Sequence, residues 1–179
     1  KISSNIVASG VVYPDRLLAM DSGATTGRLP GEEVRDPAFQ RVAYWIEPSV
    51  KDRAILAGYT PVESTSVLAT HLQEVVRRHA DELLTRDATR HLIDELKKSQ
   101  PAVVDELIPG MMKLAEVQQV LQLLLREEVP IRQLGTILET LGDHAARTKD
   151  PIWLCEYVRH RLARTLCSRY RDKEQRLHV

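Results

Sequence analysis

The character of the sequence changes once along the chain, near residue 64. Before this point, short apolar runs alternate with turns that contain Gly and Pro, which is typical of strands joined by loops. After it, apolar residues recur every three or four positions with few interruptions, which is typical of amphipathic helices. We therefore expect an α+β fold, in which a small α/β part with a short sheet is followed by a mostly helical part.

The first part of the sequence predicts a strand, a helix and a second strand. The run "VAYWIE" (42–47) suits a buried strand, and Pro48 suits the first turn of a short helix after it. Gly58 can end this helix in a left-handed conformation, after which "YTPVE" continues as extended chain. Two further apolar runs, "NIVASGVVYP" and "RLLAM", precede the turn-rich segment "DSGATTGRLPGEE".

Prolines divide the second part into helices. Pro101, Pro130 and Pro151 each stand where the first turn of a helix tolerates a missing N–H group, and Asp150 can cap the last helix. The apolar stripes of these helices are expected to form the core, because each helix must bury one face to be stable. The predicted helices span 64–84, 87–99, 101–108, 113–128, 130–145 and 151–170.

Three histidines between residues 64 and 91 raise the question of a metal site. His71 and His79 are eight residues apart, so a straight helix separates them by roughly 12 Å along its axis. His91 lies beyond an expected helix break. Metal-binding histidines on one helix usually stand three or four residues apart, so we expect no intrinsic metal.

The helix predicted at 64–84 has a clear apolar side. Its polar side mixes acidic and basic residues, as an ordinary solvated surface does. The apolar side is predicted to be a buried stripe made of Leu68, Leu72, Val75, Val76, Ala80, Leu83 and Leu84.

The composition indicates a globular chain rather than a membrane-spanning one. The chain has 25 basic and 25 acidic residues, and no apolar run approaches the length of about 20 residues needed to span a bilayer. The first residues lack the apolar centre of a signal peptide. Cys155 and Cys167 are predicted to share one helix, too far apart for a disulfide, so we expect reduced thiols.

Common catalytic and cofactor-binding motifs are missing, including G-x-S-x-G, the P-loop, paired zinc cysteines and H-E-x-x-H. We therefore expect a binding protein that is not an enzyme and has no cofactor. A nucleic-acid-binding helical module is the alternative function, because the last predicted helix and the residues after it are basic. This helix carries Arg159, Arg161, Arg164 and Arg169. A nucleic-acid domain is usually basic overall, whereas this chain is neutral. Nucleic-acid binding is therefore the less favoured of the two functions.

Several longer motifs carry a family resemblance: "YPDRLLAM", "RDPAFQ", "GYTPVESTSVLATHL" and the block "VQQVLQLLLREEVPIRQLGTILETL". Together they closely resemble the cytosolic region of the type III secretion export-gate family (FHIPEP), which includes flagellar and virulence-injectisome members. The ending "LARTLCSRYRDKEQRLHV" resembles the injectisome branch more than the flagellar branch.

The resemblance implies a part of a large bacterial inner-membrane protein on its cytoplasmic face. Such proteins form a homo-oligomeric ring of nine copies that docks chaperone–substrate complexes for export, and they contact gatekeeper and ATPase-stalk proteins of the apparatus. The membrane is reached through an N-terminal half that is expected to be absent here, and no nucleic acid is involved. The implied subdomains are a thioredoxin-like first one (parts at 1–14 and 64–84), an inserted α/β one (15–63), a helical third one (85–168) and the start of a fourth (169–179).

The resemblance also implies a docking site for chaperone–substrate complexes at Asp36, Phe39 and Thr70. An exposed Phe would supply an apolar anchor, and Asp and Thr would supply directional polar contacts. The alternative is that Phe39 packs inward and Asp36 caps a turn with Pro37. Departures from the family pattern are Gln40 in place of Gly, Pro61 in place of Val, Leu123 in place of Asn and Gly135 in place of Arg.

Overall fold

The computed structural model describes residues 2, 4–169 and 176. The chain divides into two compact units, Lys1–Arg78 and His79–Val179. The first unit carries a four-stranded sheet and the second is helical, which confirms the α+β class expected from the sequence. Within the described residues, no helix is both long enough and apolar enough to cross a membrane. Most of the predicted start of a fourth subdomain, 169–179, lies outside the described residues.

The sheet of the first unit is antiparallel throughout. Strand β3 is the predicted "VAYWI" run, and its Trp45 lies between Leu18 of β1 and Glu32 of β2 in the strand register. Pro61 lies on an edge strand, where a missing N–H group is tolerated, so this departure from the family pattern fits the fold. The strands are β1 (Leu17–Asp21), β2 (Glu32–Arg35), β3 (Val42–Ile46) and β4 (Tyr59–Glu63), in the spatial order β2-β3-β1-β4.

A short helical segment joins β3 to β4, as the sequence predicts. A 3₁₀ turn at Pro48–Val50 leads into α1 (Lys51–Leu56). Gly58 then has a φ of 84°, and a Cβ at this position would come within 2.9 Å of the Ala24 carbonyl oxygen. Glycine is therefore favoured both by the left-handed backbone and by the close approach of the neighbouring chain.

Strand alternation gives this sheet two apolar faces. One face packs on α1, with buried residues Ala19, Tyr44, Ile46, Ala54 and Tyr59. The other face packs on the first turns of α2 (Ser64–Arg78), with buried residues Leu18, Ala43, Trp45 and Val67.

Strand β2 was missed by the sequence analysis, which assigned Glu32 and Glu33 to a turn-rich segment. Its sequence, "EEVR", has a single apolar residue and carries charges along an exposed edge. Edge strands often have such charged residues, which makes them hard to recognise from apolar patterns.

The stripe predicted on residues 64–84 is not buried as a whole, and the prediction was wrong here. Leu68, Leu72 and Val76 are 57%, 61% and 47% exposed. The predicted helix also ends at Arg78, and α3 (Ala80–Leu83) begins the second unit. Periodicity identifies the apolar side of a helix but does not reveal whether another element covers it.

The second unit packs its helices around a continuous aliphatic core. The apolar residues with no exposed surface come from three helices, namely Val117, Val120, Leu121 and Leu124, then Ile137 and Leu141, then Leu154 and Val158. The helices are α4 (Arg86–Ser99), α5 (Pro101–Leu107), α6 (Leu114–Arg126), α7 (Leu134–Ala145), α8 (Pro151–Arg161) and α9 (Ala163–Arg169).

Two of the three prolines begin helices as predicted. Pro101 and Pro151 open α5 and α8, and the Asp150 carboxylate caps α8 by accepting a hydrogen bond from the Ile152 N–H at 2.9 Å. Pro130 does not open α7, which begins only at Leu134. Residues 130–133 precede the helix and follow the buried Val129. A proline alone therefore did not locate the start of this helix.

The last predicted helix, 151–170, is interrupted at Leu162. Cys155 therefore lies on α8 and Cys167 on α9, contrary to the expectation of one shared helix. Both are free thiols.

Candidate docking site

A tight turn joins β2 to β3 and contains the "DPAF" motif. The Asp36 N–H donates to the Arg41 carbonyl at 2.8 Å, and the Gln40 N–H donates to the Asp36 carbonyl at 2.9 Å. These backbone bonds extend the pairing of β2 and β3 into the turn. We call residues 36–41 the DPAF turn.

The Asp36 side chain stabilises this turn through a hydrogen bond inside it. Its side chain is 3% exposed, and the Oδ2 atom accepts a hydrogen bond from the Phe39 N–H at 2.6 Å. This is the capping geometry that Asp-Pro turns often adopt. The carboxylate therefore fixes the backbone on which Phe39 stands.

Ala38 and Phe39 are neighbours in the turn but differ in exposure. Ala38 is 2% exposed, whereas Phe39 is 49% exposed. The turn thus has a buried base and an aromatic side chain that is half open to solvent. An aromatic ring presented in this way can act as an apolar anchor for a partner.

The C-terminal half of α2 supports the base of the turn. Arg78 donates a hydrogen bond from Nη2 to the Ala38 carbonyl at 3.0 Å. A Cβ at Gly10 would lie 3.2 Å from Pro37 Cβ and 3.3 Å from His71 Cε1, so Gly10 fills the narrow space between the turn and the helix. Gly10 and Arg78 were not predicted as parts of this site, because neither belongs to a recognisable motif.

Thr70 lies on α2, one position before His71, and is half-buried. Two helical turns separate it from Arg78, roughly 12 Å along the axis. The structure thus brings Asp36 and Phe39 together in one turn and places that turn against the helix that carries Thr70.

A cavity of about 330 Å³ lies beside the DPAF turn. Its walls combine aromatic, aliphatic and charged side chains, and the turn contributes Pro37 and Gln40. The lining residues are Ser9, Gly10, Val11, Tyr13, Glu32, Val34, Arg35, Pro37, Gln40 and Trp45.

Polar contacts fix the aromatic wall of this cavity. Tyr13 meets Trp45 edge to face, with ring centroids 5.4 Å apart. A hydrogen bond to the Glu32 carboxylate raises the pKa of the Tyr13 hydroxyl above its ordinary value. The Arg16 guanidinium lies 4.9 Å above the Tyr13 ring and pairs with Glu32 at 3.8 Å and Glu47 at 3.3 Å. These contacts hold the Tyr13 ring in place beside the cavity.

Cys155 and His79, two side chains of types that can take part in catalysis, are engaged in structural contacts. Burial raises the pKa of the Cys155 thiol to about 11, so this thiol is a poor nucleophile at neutral pH. His79 Nδ1 pairs with Glu82 at 2.7 Å. Across residues 2, 4–169 and 176, the His, Cys, Asp and Glu side chains form no group of three that could hold a metal ion.

The nucleic-acid alternative depends on the basic residues of the last helices. One of them, Arg159, is paired with acidic side chains. Arg159 pairs with Glu156 on its own helix and with Glu127 after α6. The hydrogen bonds to these two carboxylates raise the pKa of Arg159, with Glu156 the larger cause, and the pairing lowers the pKa of Glu156. The two carboxylates compensate the charge of this guanidinium and occupy two of its five N–H donors, so Arg159 is less available to a phosphate.

Comparison with known families matches residues 1–179 to the model of the FHIPEP family. The chain belongs to this family, which confirms the resemblance seen in its motifs.

One curated relative is the flagellar biosynthesis protein FlhA of Escherichia coli, 42% identical over 173 residues, which cover 97% of this chain and 25% of the relative. Among solved structures, nonameric EPEC SctV-C is 27% identical with a TM-score of 0.67, over 91% of this chain and 49% of that one. The Chlamydia pneumoniae CdsV protein is 24% identical to this chain with a TM-score of 0.77. The match covers 91% of this chain and 48% of CdsV, and it shows that the two share a fold. The chain thus spans about a quarter of the curated relative.

Proposed function

We propose that this chain is part of the cytosolic region of an export gate in a type III protein secretion apparatus, where it docks chaperone–substrate complexes. The observation that carries the proposal is Phe39, which is 49% exposed on a turn whose base is buried and hydrogen-bonded. Because the backbone that carries this side chain is already fixed, less conformational freedom is lost when a partner covers it. Membership of the FHIPEP family supports the same role.

In this proposal Asp36, Phe39 and Thr70 have different tasks. Phe39 inserts into an apolar site on the partner, and Asp36 acts mainly by fixing the Phe39 backbone through its 2.6 Å hydrogen bond. Thr70 offers a hydroxyl on the neighbouring helix. The cavity lined by Tyr13 and Trp45 can receive an apolar side chain of the same partner.

The proposal extends to assembly and location. EPEC SctV-C and the EscV cytosolic domain, each 27% identical to this chain, have been solved as nonamers. By analogy, this chain would contribute to a ring on the cytoplasmic face of the bacterial inner membrane, with gatekeeper and ATPase-stalk proteins as further partners. The injectisome branch and the subdomain boundaries at 14, 63, 84 and 168 remain part of the proposal.

Phe39→Ala tests the docking role. The variant should weaken binding of a chaperone–substrate complex by about 1–3 kcal/mol, as expected for an aromatic anchor, while the fold is retained. Titration calorimetry gives the affinity, and thermal unfolding gives the melting temperature of the same sample.

Leu56→Ala is the matched control, because Leu56 is also apolar and is 88% exposed, but lies on α1 away from the DPAF turn. It should leave the affinity unchanged. If Phe39→Ala binds like the wild type and has a much lower melting temperature, Phe39 is a packing residue and the docking role is wrong.

A further inference from the structure

One peptide group of the DPAF turn is hydrogen-bonded at both of its ends. The N–H of Phe39 donates to the Asp36 Oδ2 atom at 2.6 Å. The carbonyl of Ala38, which belongs to the same peptide group, accepts a hydrogen bond from Arg78 Nη2 at 3.0 Å. A carboxylate and a guanidinium therefore hold opposite ends of the peptide group between residues 38 and 39.

The two charges match the dipole of this peptide group. The carboxylate contacts the positive N–H end and the guanidinium contacts the negative carbonyl end, so each charge polarises the group in the sense that strengthens the other bond. Asp36 is 3% exposed, and a buried charge is costly unless it is compensated. Arg78 therefore helps to compensate the Asp36 charge through the intervening peptide group.

These bonds determine the direction of the Phe39 side chain. A peptide group is planar, so holding both ends of the 38–39 group restricts the backbone dihedral on the N-terminal side of Phe39. The next peptide group is also held, because the Gln40 N–H donates to the Asp36 carbonyl at 2.9 Å. The Cα atom of Phe39 thus lies between two fixed peptide planes, and the direction of its Cβ atom follows from them.

We propose that Arg78 is a positioning residue of the docking site, an inference that rests on the docking role proposed above for Phe39. Together with Asp36, Arg78 fixes the 38–39 peptide group and so sets the orientation in which the Phe39 ring is presented to a partner. Arg78 is the last residue of α2 and is 40 residues from Ala38 in the chain. The end of this helix therefore controls the aromatic anchor without contacting the partner itself.

The single phenylalanine of the chain allows a direct test. Incorporation of para-fluorophenylalanine during expression labels Phe39 alone. Arg78→Met removes the donor to Ala38, so the fluorine resonance of the free chain should shift, and the Phe39 N–H should exchange with solvent about tenfold faster or more, as for loss of a charged hydrogen bond. Amides of the central strands β1 and β3 should exchange as in the wild type.

Arg53→Met is the matched control. It removes the same charge from an exposed arginine of the first unit, but Arg53 lies on α1, which packs on the opposite face of the sheet from α2. Its fluorine resonance and its Phe39 N–H exchange should match the wild type. If Arg78→Met matches the wild type in both readouts, the inference is overturned. Equally accelerated exchange in β1 and β3 would also overturn it, because Arg78 would then stabilise the unit in general.

Binding separates this inference from the proposed function. Because Arg78 acts through Phe39, Arg78→Met should weaken binding of the chaperone–substrate complex used for Phe39→Ala by about three- to tenfold, but by less than about twofold in the Phe39→Ala background. An equal loss in both backgrounds would overturn the positioning role. If Phe39→Ala alone leaves the affinity unchanged, the docking role fails, whereas an unshifted fluorine resonance in Arg78→Met overturns only the positioning of Phe39.

Discussion

Gln40 occupies a backbone conformation that L-residues rarely adopt. Its φ is 60°, in the left-handed region, at the position where the family pattern has Gly. The side chain is exposed, and its Nε2 reaches the Pro37 carbonyl only at 3.4 Å. The DPAF turn therefore keeps the shape that a glycine would permit, at a conformational cost that the weak side-chain contact does not offset.

Gln40→Gly should therefore stabilise the chain. Relief of the left-handed strain is worth about 1–2 kcal/mol, and the greater freedom of Gly in the unfolded chain removes about 0.5–1 kcal/mol, so we expect a net gain of about 0.5–1 kcal/mol. Urea denaturation measures the free energy of unfolding. Gln40→Ala, which keeps a Cβ in the same conformation, should show no gain, and equal stability of the two variants would contradict the strain argument.

Strands and helices with strong local signals were predictable from the sequence. Strand β3, the helix after Pro48 and the left-handed Gly58 follow from local rules of propensity and turn geometry. Strand β2 and the exposed apolar side of α2 were not predictable. Both depend on how elements that are distant in the sequence pack against each other, which local patterns do not reveal. Similarly, the motif indicated Asp36 as a turn residue, whereas the bond from Arg78 to Ala38 joins residues 40 apart and leaves no local signal.

Gly135 shows how two helical segments come close together. It is buried in the first turns of α7, and a Cβ at this position would lie 2.2 Å from Gln100 Oε1 and 3.0 Å from Gln100 Cδ. Gln100 connects α4 to α5. A glycine costs about 1 kcal/mol in a helix relative to Ala, and here it leaves room for the Gln100 side chain.

A double-mutant cycle of Gly135→Ala and Gln100→Ala tests this packing. In the Gln100→Ala background the steric conflict is gone, so Gly135→Ala should stabilise by about 1 kcal/mol through helix propensity. In the wild-type background, displacement of the Gln100 side chain should reduce or reverse this gain. Urea denaturation of the four proteins gives the coupling energy. Strict additivity would show that the two side-chain positions do not compete for space.

The whole chain contains separate hydrophobic cores. The aliphatic core of α4 to α9 draws all its buried residues from the second unit, and the two faces of the sheet are buried by residues of the first unit alone. Each unit therefore gains most of its hydrophobic stabilisation internally. We infer that a defect in one core is felt mainly by its own unit.

This inference predicts different responses to Leu121→Ala and Leu18→Ala, both at positions with no exposed surface. Each substitution should cost its own unit about 2–5 kcal/mol, through lost burial and the cavity left behind. Trp45, 3% exposed between the strands, reports unfolding of the first unit. Replacing the chain's second tryptophan by Trp153→Phe makes Trp45 the sole tryptophan. Far-UV circular dichroism follows the helices, most of which belong to the second unit.

In the Trp153→Phe background, Leu121→Ala should lower the midpoint of the dichroism transition and leave the Trp45 fluorescence transition nearly unchanged. Leu18→Ala should do the opposite, because Leu18 lies opposite Trp45 in the sheet register. If Leu121→Ala shifts both transitions by the same amount, the two units unfold as one cooperative body. In that case a substitution in the helical unit would also lower the stability of the DPAF turn.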